Sequence, residues 1–297
     1  MKSETVDAGG DREFVFRPRD FDRVRKLIHT RAGIALSDSK HDMVYSRLAR
    51  RLRALGIDSF DTYPDGLESG GDGEEWQAFT NALTTNLTAF FREAHHFDEL
   101  ARLLQRQRPG ERIVLWCSAA STGEEPYSMA ITACETFGTL TPPVTILATD
   151  IDTQVLQTAE NGVYPLERIE KLSEARKRKF FHKGTGAMSG HCRVRNELRD
   201  LIRYRPLNLL DSKWPMRGPF DAIFCRNVMI YFDKPTQRAI LQRMVPLLAP
   251  EGLLFAGHSE SFFHAADLVT SLGHTVYRRA TAKPQPPHHK SGREATA

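Results

Sequence analysis

Between residues 112 and 257, four short apolar runs, "RIVLWC", "VTILATD", "FDAIFC" and "GLLFAG", alternate with longer amphipathic stretches. Runs this short and this apolar read as buried strands. Helical stretches between successive strands set those strands parallel in one sheet with helices on its faces. An open parallel sheet binds ligands in the crevice beyond the carboxyl ends of its strands. The residues that follow each run therefore carry the functional argument.

The first run leads into "CSAASTGEEPYS", residues 117–128. Its small residues let a ligand approach the backbone, but only Gly123 is a glycine and the dinucleotide fingerprint GxGxxG is absent. A pyrophosphate at the next helix would also face Glu124 and Glu125, against the preference of a helix N-terminus for anions. NAD and ATP are disfavoured. A nucleoside carrying positive charge fits better, which points to S-adenosylmethionine. Thr122-x-x-Glu125 equally fits a capping box in which Glu125 closes its own helix.

The second run ends in "ATDID", where Asp150 can take two ribose hydroxyls on one carboxylate, while Asp152, just ahead of "TQVLQTA", suits an N-cap. The third, "PFDAIFCRNVMIYF", is expected beside the first strand, with Arg226 and Asn227 over the same crevice. Upstream, "LTTNLTAFFREAHHF" gathers Asn86, Thr88 and Arg92 beside two phenylalanines and by itself reads as a helix with an aromatic face. His95 and His96 are adjacent, so on a helix they cannot share a metal.

Residues 18–90 have helical periodicity at Phe21, Val24, Leu27 and Ile28, and again at Met43, Val44, Leu48, Leu52 and Leu55. "YPDGLESGGDGEEW" reads as a loop between helices. "SRLARRLRALG" groups Arg47, Arg50, Arg51 and Arg53 on a face suited to an acidic partner, in a chain of net charge +4. Gly162 suits the end of one helix, and Asp233 with Pro235 the start of another. Residues 184–205 break the alternation with glycine turns and two short strands, as an antiparallel insertion would. The four cysteines form no CxxC pair, so reduced, buried thiols are expected. Without a signal peptide or an apolar run of membrane-spanning length, the expectation is a cytoplasmic protein with no membrane insertion.

Taken together, "TNLTAFFREAHHF", "SAASTGEEPYS", "ATDID", "NGVYP", "FDAIFCRNVMIYFDK" and "LLFAGHSE" resemble the CheR family of chemotaxis receptor methyltransferases, over residues 18 to about 280. The resemblance implies an α/β class I S-adenosylmethionine-dependent (Rossmann-like) methyltransferase domain at 86–282 with a small antiparallel β-subdomain near 180–205. A small all-α N-terminal domain at 14–85 precedes it, and residues 1–13 and 283–297 are expected to be disordered. It implies methyl transfer to glutamate side chains on the cytoplasmic domain of chemoreceptors, giving glutamate methyl esters and S-adenosylhomocysteine. Motif by motif it assigns cofactor contacts to Asn86, Thr88, Arg92, Glu125, Asp150, Leu207, Asn208, Arg226 and Asn227. It places Tyr231 near the methyl group and Arg92 also near the substrate carboxylate, with no metal. In some members the β-subdomain docks a receptor C-terminal peptide; a monomer is expected.

Two rivals share part of this pattern. A nucleic-acid methyltransferase would use the same cofactor fold, but "RNVMIY" stands where a PPY-type element belongs, and no aromatic-basic single-strand platform is present. A non-catalytic adaptor would bind the cofactor without turning it over.

Overall fold

The computed structural model describes residues 12–70, 73–106 and 110–280. The first unit is four helices, α1 (Pro18–Ala32), α2 (His41–Leu55), α3 (Thr62–Glu68) and α4 (Gly73–Leu83). Their apolar faces meet in one core that joins Phe21, Val24 and Ile28 to Val44, Leu48 and Leu52, with Phe60, Tyr63 and Phe79. Fully burying each such side chain contributes about 1.5–3 kcal/mol. Leu55, expected on that face, is exposed at the end of α2. The segment read as a loop is largely helical. Tyr63, Pro64 and Leu67 of α3 are buried, and Pro64 stands in the first turn, where no amide hydrogen bond is lost. That burial outweighs the cost of about 1 kcal/mol for Gly66 in a helix. The expected disorder at 1–13 and 283–297 falls mostly outside the described residues, but Arg12 and Glu13 are placed, paired with Asp42 and Arg53.

The second unit runs through α5 (His95–Gln105), β1 (Ile113–Cys117), α6 (Glu124–Phe137), β2 (Val144–Asp150), α7 (Thr153–Asn161) and β3 (Val163–Pro165). It continues with α8 (Glu174–Phe180), β4 (Phe181–Lys183), β5 (His191–Val194), α9 (Asn196–Arg199) and β6 (Ile202–Pro206). It closes with β7 (Phe220–Cys225), α10 (Lys234–Met244), β8 (Leu248–Ala256), β9 (Val269–Gly273) and β10 (Val276–Arg279). Seven strands form one sheet in the order β6-β2-β1-β7-β8-β10-β9. The first five are parallel, and β10 is antiparallel to both of its neighbours.

Strand alternation explains why this sheet is covered on both faces. Leu115, Cys117, Ala222, Phe224 and Phe255 enter one apolar cluster, while Trp116, Ile223, Cys225, Leu254 and Ala256 enter another. β2 and β7 flank β1 on opposite sides, so the strand order reverses at β1 and a crevice opens beyond its carboxyl end.

The antiparallel insertion differs from its expected extent. It is a three-stranded sheet, β3-β5-β4, that begins at Val163, and of residues 184–205 only His191–Val194 belongs to it. The stretch "IRYRP" instead forms β6 and pairs parallel with β2. Ile202 and Tyr204 are buried while Arg203 and Arg205 are exposed, an alternation that any edge strand shows, whichever sheet it joins. The four cysteines are buried and unbridged. Among the described residues no helix is long and apolar enough to cross a membrane.

The two units are tied together around the crevice. Gly33 ends α1 at φ 69°, and a Cβ there would lie 2.8 Å from the Phe232 ring, so only glycine allows the helical unit this approach. Ala35 N donates to the Tyr231 carbonyl (3.1 Å), and Gln77 Nε2 to that of Ile151 (2.7 Å).

Candidate functional site

A single cleft lies between the helical unit and the carboxyl ends of β1, β2 and β7. All ten residues singled out in the sequence line it: Asn86, Thr88, Arg92, Glu125, Asp150, Leu207, Asn208, Arg226, Asn227 and Tyr231. The turn after β1 is pinned to both neighbouring strands. Ser118 N donates to the Phe224 carbonyl and Ala120 N to that of Thr149, each at 2.9 Å. Gly123 follows at φ 100°, where a Cβ would stand 2.7 Å from that of Ala159. Ser121 and Asn227, which line the cleft, and Phe91 and Glu93, on either side of Arg92 in the chain, hold positive φ without being glycine. Conformations of this kind cost about 1–3 kcal/mol each and gather at functional sites.

Asp150 ends β2 with a buried carboxylate. One oxygen accepts from Ser121 N (2.8 Å) and the other from Asp152 N (3.0 Å). Burial pushes its pKa up to about 6, with those amides opposing the rise. Asp152 takes the other role expected of the pair, capping α7 through Gln154 N (2.9 Å) and Val155 N (3.3 Å). Its second oxygen accepts from Thr84 Oγ1 (2.7 Å) and Asn86 Nδ2 (2.9 Å). Asn86 thus reaches the cleft with its amide nitrogen already engaged.

The two glutamates that open α6 part ways. Glu124 is buried against Arg168 and does not line the cleft. Glu125 lines it and pairs with Arg226 at 2.6 Å. The capping box is not formed, because Gly123 is the N-cap and Thr122 Oγ1 donates to Glu124 (2.7 Å). Arg226, fully buried, stands between Glu125 and Glu93 (3.3 Å) and also donates to the Arg92 carbonyl. Burial raises the Glu125 pKa, with Arg226 opposing; burial acts the same way on Glu93, but Arg226 and the His258 amide outweigh it and hold that carboxyl below the usual range.

Arg92 and Tyr231 face the cleft with more freedom. The Arg92 guanidinium donates to the Leu87 carbonyl (2.9 Å), and no carboxylate pairs with it among the described residues. Asn208 lines the cleft, but its side chain bridges Arg31 O (2.8 Å) and Leu210 N (2.9 Å). The segment before α5 is not the expected helix, because Phe91 and Glu93 hold φ of 53° and 57°. His95 and His96 both approach the His274 carbonyl, at 3.3 and 3.0 Å, as structural contacts.

Residues 86–278 match the family model described as "CheR methyltransferase, SAM binding domain", and residues 19–84 match "CheR methyltransferase, all-alpha domain". The chain belongs to the CheR methyltransferase family. It is 55% identical over 275 residues to "Chemotaxis protein methyltransferase 2" of Pseudomonas aeruginosa, covering 91% of this chain and 96% of that one. It is 55% identical over 257 residues to "Chemotaxis protein methyltransferase" of Escherichia coli, covering 86% and 89% of the two chains. At 34% identity over 286 residues it also matches "Chemotaxis protein methyltransferase 2" of Vibrio cholerae, covering 94% and 97%.

In this CheR chain part of the cleft carries no signal in the sequence. Ile34, Ala35, Leu36, Lys40 and Met43 of the helical unit line it, as do Leu209 and Phe232. Helical periodicity marks Met43 as apolar but is silent on which domain it meets. The basic face of α2 is also less free than its sequence implies. Arg51 pairs with Glu75, Arg53 with Glu13, and Arg47 donates to the Ala82 carbonyl (3.3 Å), while Arg50 and Arg53 remain exposed.

Proposed function

We propose that this CheR chain transfers the methyl group of S-adenosylmethionine to glutamate side chains of chemoreceptor cytoplasmic domains. The products are glutamate methyl esters and S-adenosylhomocysteine. The observation that carries the reading is Arg92, a guanidinium without a carboxylate partner among the described residues, lining the same cleft as Asp150 and Tyr231. A substrate carboxylate supplies the missing partner. Relatives named as chemotaxis protein methyltransferases support a receptor as the bearer of that carboxylate.

The cleft suits the cofactor. Asp150 offers a buried carboxylate to hydroxyls, Ile34, Leu36, Met43, Leu207 and Leu209 offer apolar walls to a base, and Arg226 Nε is a buried donor without an acceptor among the described residues. When bound, S-adenosylmethionine supplies a methyl group activated by its sulfonium.

A glutamate carboxylate, with a reference pKa of about 4.3, is ionised at neutral pH and needs no general base. Nor does an already activated methyl group call for a metal. Positioning is what remains, and good orientation of two reactants supplies about 7–11 kcal/mol. Arg92 holds the carboxylate and Tyr231 aligns it. Arg92 must not hold it too firmly, since the negative charge disappears as the ester forms.

The edge strands β3 and β4 of the three-stranded sheet each leave one side unpaired, which supports docking of a receptor tail peptide there as an added strand. The enzyme acts in the cytoplasm as a monomer. Tyr231→Phe is expected to lower kcat about tenfold or more while cofactor affinity stays constant. Steady-state kinetics with calorimetry checks this, and full turnover in the variant would remove the hydroxyl from the mechanism.

A further inference from the structure

The stretch after β7 carries Asn227 and Tyr231, yet its regular structure is one 3-10 turn, Met229–Tyr231. Asn227 opens it at φ 56°. Two buried side chains hold it from different sides. Gln237 of α10 donates through Nε2 to the carbonyls of Met229 (2.9 Å) and Phe232 (3.0 Å). Glu260, in the loop after β8, collects amides instead: Met229 N (2.7 Å) and Ile230 N (3.3 Å) on one oxygen, Asn227 N (2.9 Å) and Gly257 N on the other. Glu260 is 5% exposed, and among the described residues no lysine, arginine or histidine pairs with it. A buried carboxylate without a countercharge is costly unless hydrogen bonds satisfy it. Here they come from the backbone, so the charge and the path of the loop fix each other.

We propose that Glu260 is a positioning residue for methyl transfer: its carboxylate fixes the backbone of residues 227–230 and thereby the place of the Tyr231 hydroxyl in the cleft. The proposal rests on the methyl-transfer reading above. A glutamine at 260 keeps the shape but presents an NH2 group to two backbone N–H groups. The loop must then shift, while Gln237 and the Ala35–Tyr231 bond still hold its far end. Gly257 marks how closely the two loops meet, since a Cβ there would lie 2.3 Å from Asn227 Nδ2.

The test is a double-mutant cycle in the full chain with receptor-containing membranes. Glu260→Gln is expected to lower kcat about tenfold, with receptor KM within about threefold of the parent. Glu260→Asp, which keeps the charge at shorter reach, is expected to recover part of the loss. In a Tyr231→Phe background, Glu260→Gln is expected to cost less than about threefold, because the group it positions is gone. Parental kcat in Glu260→Gln, or losses that multiply independently, overturns the proposal. If the variant fails to fold, hydrogen exchange of the parent decides: the amides of Asn227, Met229 and Gly257 are expected to exchange as slowly as those of β8, and rates typical of an open loop overturn the clamp. A parent that methylates no receptor would sink the enzymatic reading itself, an outcome separate from these.

Discussion

Asp150 is the residue at which acid chemistry and ligand binding are most closely coupled. In the proposed role its carboxylate accepts the cofactor's hydroxyls best when ionised, and burial pushes its pKa up to about 6. Cofactor affinity is therefore expected to be flat above about pH 7 and to weaken by up to about tenfold per unit below pH 6; calorimetry from pH 5 to 8 checks this, and affinity constant across that range contradicts it. Asp150→Ala is expected to lose about 1–3 kcal/mol of cofactor binding. Global stability is a poorer readout, for a reason of sign. A carboxyl raised from 3.8 to about 6 binds its proton more tightly in the folded chain, so its share of stability falls as pH rises through that window. Buried His96, lowered from 6.5 to about 4, binds its proton more tightly when unfolded, so its share rises with pH over much of the same range. The division between Asp150 in the cleft and Asp152 at the cap was legible in the sequence from their places at the end of a strand and the start of a helix. The partner of Glu125 was not, because Arg226 reaches it, and Glu93 reaches Arg226, only through tertiary folding, and sequence spacing admitted a capping box that the backbone does not form.

At the scale of elements, Asp152 ties α7 to the segment between the two units. One oxygen caps α7 and the other holds Thr84 and Asn86 of the segment between the two units. Asp152→Ala removes a cap worth about 0.5–2 kcal/mol and the hydrogen bonds from Thr84 and Asn86, worth about 0.5–1.5 kcal/mol each. A destabilisation of about 2–4 kcal/mol is expected in denaturant unfolding, and a loss below about 0.5 kcal/mol would contradict the assignment. The strands of the sheet were legible because a buried parallel strand needs a short apolar run. Capped helices such as α7 and α10 were legible because Gly162 and Asp233 carry their own end signals. Elements governed by tertiary contacts were not. α3 contains Pro64 and Gly66 and is held by the burial of Tyr63 and Leu67, and the alternation of β6 does not say which sheet it joins.

At the scale of the whole molecule, neither unit makes the cleft alone. Strand ends supply Asp150, Arg226 and the turn after β1, while the helical unit supplies Ile34, Leu36, Lys40 and Met43. The sequence foretold two units but not this shared wall, since nothing local in α1 or α2 marks a residue as facing another domain. Gly33 and the Ala35–Tyr231 hydrogen bond set that contact, so the loop bearing Tyr231 is positioned by both units. Such an arrangement suits an enzyme whose work is to align two charged partners. The most direct test of that account is to incubate the protein with methyl-labelled S-adenosylmethionine and membranes containing its host's chemoreceptors, then measure methanol released by mild alkali. Receptor-dependent release of volatile label is predicted, as expected of glutamate methyl esters. Label that resists alkali, or that enters nucleic acid, would contradict carboxyl methylation.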